Sequence, residues 1–139
     1  MPIHRILTSL PDMPEPRASF CHGLDVEGRF LYVSGQGPYD PSAGGFVCHS
    51  IAEQTTLTLA CIDRILLAAD TSRDRVVSCR IYLNDLTQAS YAEMNAVYRE
   101  FFGEHKPART TIGARLLDID VEIECVALIE NEVRKPHFA

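Results

Sequence analysis

The end of the chain alternates. In DVEIECVALIE, Val121, Ile123, Cys125, Ala127 and Ile129 fall on one side, and Glu122 and Glu124 on the other. That is the rhythm of a strand lying on a core with its second face turned outward. DRVVSCRIYLND reads the same way, with Val77, Cys79, Ile81 and Leu83 sharing a face. Between Ser50 and Ala69 the period changes: Ile51, Thr58, Ile62, Ile65, Leu66 and Ala69 recur at three and four spacing. This predicts a long helix, opened by the Ser50–Glu53 pairing of a capping box. LTQASYAEMNAVYREFF predicts a second helix, with Tyr91, Met94, Tyr98 and Phe101 or Phe102 along its stripe.

RFLYVSGQ is a strand running into GPYDPSAGG, where Gly, Pro and Asp-Pro break the chain sharply. GFVCH then returns as a short strand, so the two are expected to pair as a hairpin. ARTTIGARL gives a further strand. Residues 1–19 carry four prolines and read as an irregular arm with one short strand at HRILTS. The polar tail, residues 131–139, is expected to fray.

The order β-β-α-β-α-β-β, with an extra strand at the start, predicts an α+β fold. One mixed sheet carries two helices packed on one face. Tyr82, Val126 and Leu128 point away from the helix-facing set. That leaves an apolar sheet face wet unless a partner covers it, so an oligomer is expected. At 139 residues the chain fits a single domain, 1–139, large enough to bury a core.

Composition narrows the partners. The net charge of -6 argues against nucleic acid, whose binding relies on Lys and Arg. The five cysteines are scattered, odd in number and without a C-x-x-C pair. They read as small buried hydrophobes in a reduced compartment, and no metal site is expected. No apolar run is long enough to span a membrane. The N-terminus is broken by prolines and lacks a signal-peptide h-region, so a cytoplasmic protein is expected.

Several residues could carry chemistry. Arg109 opens a strand just after Pro107, and a fixed guanidinium is a fork for a carboxylate. The plainer alternative is a surface or interface arginine paired with a neighbouring acid. Glu122 and Glu124 share one face, and partial burial would make one of them a general acid or base. Otherwise they are a solvated strand face. Asn95, next to the helix stripe, and Ser34, at a strand end before Gly35, are candidate ligand contacts. The histidines mark no triad, and SGQGP lacks the residues of a phosphate loop.

Five blocks, FLYVSGQGPYDPSAGG, AEQTTLTLACIDRILLAADTSRDRVVSCRIYLNDL, YAEMNAVYREFF, KPARTTIGARL and VEIECVALI, resemble the RidA/YjgF family in order and spacing. They cover roughly residues 20 to 130. The resemblance implies a chorismate-mutase-like homotrimer with sites between subunits. It implies hydrolysis of reactive enamines and imines, such as 2-aminoacrylate, to 2-keto acids and ammonia without any cofactor. Arg109 resembles the family's carboxylate-binding arginine, and Glu122 the glutamate that positions water. Ser34, Gly35 and Asn95 match substrate-contacting positions. Two positions depart: Phe20 stands where the family often has tyrosine, and Thr111 where the deaminases often have cysteine. Both changes alter the pocket and point to a subfamily with a different substrate, such as a larger 2-enamino acid.

The resemblance thus implies a deaminase in which Arg109 holds the acid and Glu122 activates water. The alternatives are a non-catalytic trimer that binds small carboxylates or serves a regulatory or chaperone-like role and, less favoured by the charge, an endoribonuclease.

Overall fold

The computed structural model describes residues 3–129. The frayed tail expected over 131–139 lies outside the described residues. The elements are strands β1 (Ile3–Leu7), β2 (Gly23–Val26), β3 (Arg29–Gln36), β4 (Tyr39–Asp40) and β5 (Gly45–Phe46), helix α1 (Ile51–Ala68), strand β6 (Val76–Leu83), helix α2 (Gln88–Phe102), and strands β7 (Ala108–Gly113) and β8 (Val121–Ile129). The main sheet is four-stranded in the order β3-β8-β6-β7. β8 runs antiparallel to both β3 and β6, whereas β6 and β7 are parallel. The sheet is therefore mixed, as the order of elements predicts, and the fold is α+β.

Both helices cover one face. Leu59, Ile62 and Leu66 of α1, with Met94, Tyr98 and Phe102 of α2, pack into one core with Val33, Cys79, Ile81, Ile123 and Cys125 of the sheet. Burying these side chains drives the assembly, at about 1.5–3 kcal/mol for each large aliphatic one. Each helix start is satisfied locally. The Ser50 side chain accepts the Glu53 N–H at 3.0 Å. The reciprocal half of that capping box does not form, because the Glu53 carboxylate turns to His49 at 3.1 Å. Helix α2 has a complete box, closed by Thr87 and Ser90.

One buried polar contact fixes the entry to β8. Gln54, fully buried in α1, donates from Nε2 to Asp120 Oδ2 at 2.8 Å and accepts the Asp120 N–H at 2.9 Å. Two hydrogen bonds satisfy an amide that would otherwise be costly to bury.

Two expectations change. The returning segment around Gly45–Phe46 does not pair with β3. It pairs with Tyr39–Asp40 in a ladder of its own, while β3 takes β8 as its neighbour. Asp40 closes this small turn, accepting from the Ala43 and Gly44 amides and, through its side chain, from Ser42. The arm is also more ordered than its prolines imply. β1 pairs with the four-residue β2, a strand too short to stand out in sequence. Leu128, expected on an uncovered face, is fully buried within the chain. It lies against Gly28, where an added Cβ would stand 2.8 Å from Leu128 Cδ1. Tyr82 and Val126 remain half-buried on that face, beside Tyr32, which is 78% exposed.

Candidate functional site

Arg109 lies half-buried against helix α2. Register explains why. Arg109 pairs with Cys79 across β6–β7, and Thr111 with Ile81. Cys79 and Ile81 belong to the helix-facing core, so Arg109 and Thr111 share that face. The guanidinium is held from several sides. Nε donates to Thr111 Oγ1 at 3.1 Å, and Nη2 donates to Asn95 Oδ1. Its Cζ lies 4.7 Å from the ring centre of Tyr98, 5.5 Å from Tyr91 and 5.7 Å from Phe20. These are cation–π distances.

Phe20 arrives by way of the arm. The Cys21 amide donates to the Pro107 carbonyl at 3.3 Å, and Cys21 bridges Ala108 in parallel. The backbone before Arg109 thus anchors the segment that carries Phe20. The His22 ring contacts the Pro14 carbonyl at 2.9 Å, which ties the arm back on itself.

No carboxylate among the described residues pairs with Arg109 within the chain. Nη1 is buried and has no hydrogen-bond partner. Burial lowers the affinity of this guanidinium for its proton, though arginine remains charged. A cation held in a fixed pose, partly desolvated and without a counter-ion among the described residues, has the chemistry to receive an anion. A cleft of about 310 Å³ lined by Arg17, Leu86, Thr87, Gln88 and Tyr91 adjoins it through Tyr91.

The second group of candidates lies elsewhere. Glu122 pairs with Tyr82, and Glu124 with Arg80, on the face turned away from the helices. Glu124 is engaged, accepting from the Tyr82 hydroxyl at 2.5 Å. That contact also raises the Tyr82 phenol above its ordinary range. Glu122 lies over Gly35, where an added Cβ would come within 2.6 Å of its Oε2. Gly35 is therefore a glycine so that this carboxylate can lie close to the backbone. The exposed Ser34 precedes it, its carbonyl accepting from Gln36 Nε2 at 3.0 Å.

The structure thus gathers Phe20, Asn95, Arg109 and Thr111 into one pocket. It places Ser34, Gly35 and Glu122 together on the opposite sheet face. Tyr91 and Tyr98 complete the arginine pocket, yet the sequence reading assigned them only to a helix stripe. Their spacing with Asn95, at i, i+4 and i+7, was the signal available. Thr111, a departure from the family pattern, takes the Arg109 Nε–H and so serves as a positioning contact.

The family model described as Endoribonuclease L-PSP matches residues 11–129. A RutC family protein of Pyrococcus abyssi is 40% identical over 119 residues, covering 86% of this chain and 91% of that one. A Thermotoga maritima crystal structure, described as a putative endoribonuclease, shares 28% identity at a TM-score of 0.68, covering 92% of this chain and all of the other (100%). A Yersinia pestis protein of the conserved Rid family, YyfB, shares the fold at a TM-score of 0.79 and 24% identity, over 90% of this chain and 98% of its own. A match over nearly the whole described chain, joined to the placement of Arg109 and Glu122 on their expected strands, makes this chain a member of the RidA/YjgF family.

Proposed function

We propose that the protein hydrolyses reactive 2-enamino and 2-imino acids to 2-keto acids and ammonia, in a cleft between copies of a cytoplasmic homotrimer. The observation that carries this reading is Arg109: a partly buried guanidinium, fixed by Asn95 and Thr111, with no acid among the described residues to neutralise it. An α-carboxylate supplies the missing charge through two parallel hydrogen bonds.

The chemistry needs little more. Enamine and imine interconvert by a proton shift, and the protonated imine carbon is electrophilic. With the carboxylate held by Arg109, the imine carbon is presented in one pose. Glu122 accepts a proton as water adds to that carbon, giving a carbinolamine. The carbon–nitrogen bond then breaks as the nitrogen takes a proton, and ammonia and the 2-keto acid leave. Water is consumed once and no electrons are exchanged. The imine is reactive in itself, so lowering the barrier by a few kcal/mol suffices, at about 1.4 kcal/mol per tenfold.

Within one chain Glu122 cannot serve the Arg109 pocket, because it stands on the other sheet face. The reading therefore requires a second copy that brings its Glu122 to this Arg109. The half-buried Tyr82 and Val126 and the exposed Tyr32 offer the surface for it.

A second reading, simple carboxylate binding without turnover, rests on the same arginine in the absence of that second copy. The relative described as a putative endoribonuclease prompts a third. The net charge of -6 and a pocket with one fixed arginine weigh against it.

The test is ammonia and pyruvate release from 2-aminoacrylate generated in place. Turnover is expected in the native protein and lost in Arg109→Ala, which gives up about 2–5 kcal/mol of charge-paired binding. Arg109→Lys should not restore it, since an ammonium lacks the fork. Native protein that binds pyruvate but releases no ammonia would establish the second reading instead.

A further inference from the structure

Beside Arg109 on the sheet lies a pair of free thiols. Cys79 and Cys125 face each other across the antiparallel strands β6 and β8, in direct register. Both are free and buried, at 2% and 4% exposure. On the other side of β6, Cys79 pairs with Arg109. Residues directly opposed on antiparallel strands have Cα atoms about 4.5–5.5 Å apart. Disulfides accept about 4.4–6.8 Å. The backbone already holds these two cysteines at bridging distance.

We propose that Cys79 and Cys125 are a modification site, a cross-strand dithiol that peroxides oxidise reversibly to a disulfide, and that this disulfide weakens carboxylate binding at Arg109. Its consequence for binding rests on the reading of the Arg109 pocket given above; the bridge itself does not.

The surroundings favour one thiol as the nucleophile. Hydrogen bonding from the neighbouring Cys125 thiol holds Cys79 below the ordinary cysteine range against the effect of burial, with Tyr98 and the charge of Arg109 adding to it. Cys125 is correspondingly raised, most by that same neighbour and then by burial. The pair thus divides into an attacking sulfur and a protonated, resolving one.

The steps balance. The Cys79 thiolate attacks one peroxide oxygen, the O–O bond breaks, and the departing hydroxide takes a proton to become water. The product is a sulfenic acid at Cys79. Cys125 Sγ then attacks that sulfur, and the sulfenic hydroxyl leaves with the Cys125 proton as a second water. Two thiols and one hydrogen peroxide give one disulfide and two waters, with two electrons passing from sulfur to oxygen.

The link to the pocket is Tyr98. Its ring stacks 4.7 Å from the Arg109 Cζ. Its hydroxyl, buried without a well-formed hydrogen bond, borders the Cys79 thiol, and burial followed by that thiol raises its ionisation well above the ordinary tyrosine range. A disulfide draws the Cys79 sulfur toward Cys125 and takes away its thiol hydrogen. Both changes disturb the aromatic wall behind the guanidinium.

The experiment treats the full chain with hydrogen peroxide, alkylates remaining thiols under denaturing conditions, and digests it for mass spectrometry. Cys48→Ala removes the exposed thiol and serves as background. The expected result is a Cys79–Cys125 linked peptide, lighter by two hydrogens than the two thiol peptides together. It should be reversed by dithiothreitol and absent in both Cys125→Ala and Cys79→Ser. Pyruvate affinity by calorimetry should fall several-fold on oxidation and return on reduction. If both cysteines stay fully alkylatable while Cys48 oxidises in the native protein, the proposal is overturned. A linked peptide with unchanged pyruvate affinity overturns the control of the pocket. If the reduced protein binds no pyruvate at all, the reading of Arg109 fails, and the linked peptide still decides whether the dithiol forms.

Discussion

Arg109 and Glu122 stand on opposite faces of one sheet. Arg109 is in register with Cys79, and Glu122 with Tyr82, on the two sides of β6. Cys79 and Tyr82 are three positions apart on the same strand, so their side chains project oppositely. An acid-binding group and a candidate base are thereby separated within each chain. On the proposed reading, a second copy brings them to one substrate.

Asn95 holds Arg109 without neutralising it. It accepts from Nη2 as a neutral amide. Asn95→Asp would place a fixed carboxylate there and satisfy the cation internally. The variant is expected to gain stability in urea unfolding and to raise KM for the imino acid by tenfold or more, about 1.4 kcal/mol. Unchanged KM in a folded Asn95→Asp protein would show that the substrate does not use this guanidinium.

Gly35 holds space for Glu122. Its φ is not in the left-handed region, so alanine fits the backbone. The added Cβ would nonetheless meet the Glu122 carboxylate at 2.6 Å. Gly35→Ala should fold with a Tm near that of the native protein, since a glutamate tip can swing aside. It should lose most of kcat. Full kcat in this variant would mean that the Glu122 position does not matter.

The two strand glutamates are separable. They lie about 6.5–7 Å apart along the strand, and Glu124 already accepts from Tyr82. Glu122→Gln should lose most of kcat with little change in substrate affinity, because an amide keeps the shape and cannot take the proton. Glu124→Gln should keep kcat. The reverse outcome, measured on one imino-acid substrate, would move the base by two residues.

The helix-facing side of the fold is largely legible in sequence. Cys79, Ile81 and Leu83 and the stripe Met94–Tyr98–Phe102 are buried in the core as read, whereas a register shift at the start of β6 puts Val76 in that core in place of Val77. The face of β7 is not legible. In ARTTIG the apolar residues Ala108 and Ile112 imply that their side is inward, yet register puts Arg109 and Thr111 there. A partly buried arginine defeats the hydrophobic pattern because its partners, Asn95 and three aromatic rings, come from other elements. The small β4–β5 ladder was hidden for a different reason. Turn residues mark where a chain reverses, and not which strand it then pairs with.

Gln54 tests the scaffold beneath Glu122. Gln54→Ala strips both hydrogen bonds from Asp120, two residues before Glu122, and leaves a buried gap. A loss of about 1–3 kcal/mol is expected in urea unfolding. A change under 0.5 kcal/mol, about the size of a neutral surface substitution, would show that this contact does not hold the β8 entry.

The central claim is that each site takes Arg109 from one copy and Glu122 from another. Arg109→Ala and Glu122→Gln proteins, each inactive alone, can be mixed in equal amounts after denaturation and refolded together. Random assembly of a heterologous interface then restores both native groups to about one quarter of the sites. Ammonia release from 2-aminoacrylate near a quarter of the native rate is the expected result. No recovery, with mixed oligomers shown to have formed by mass, would contradict a site shared between copies.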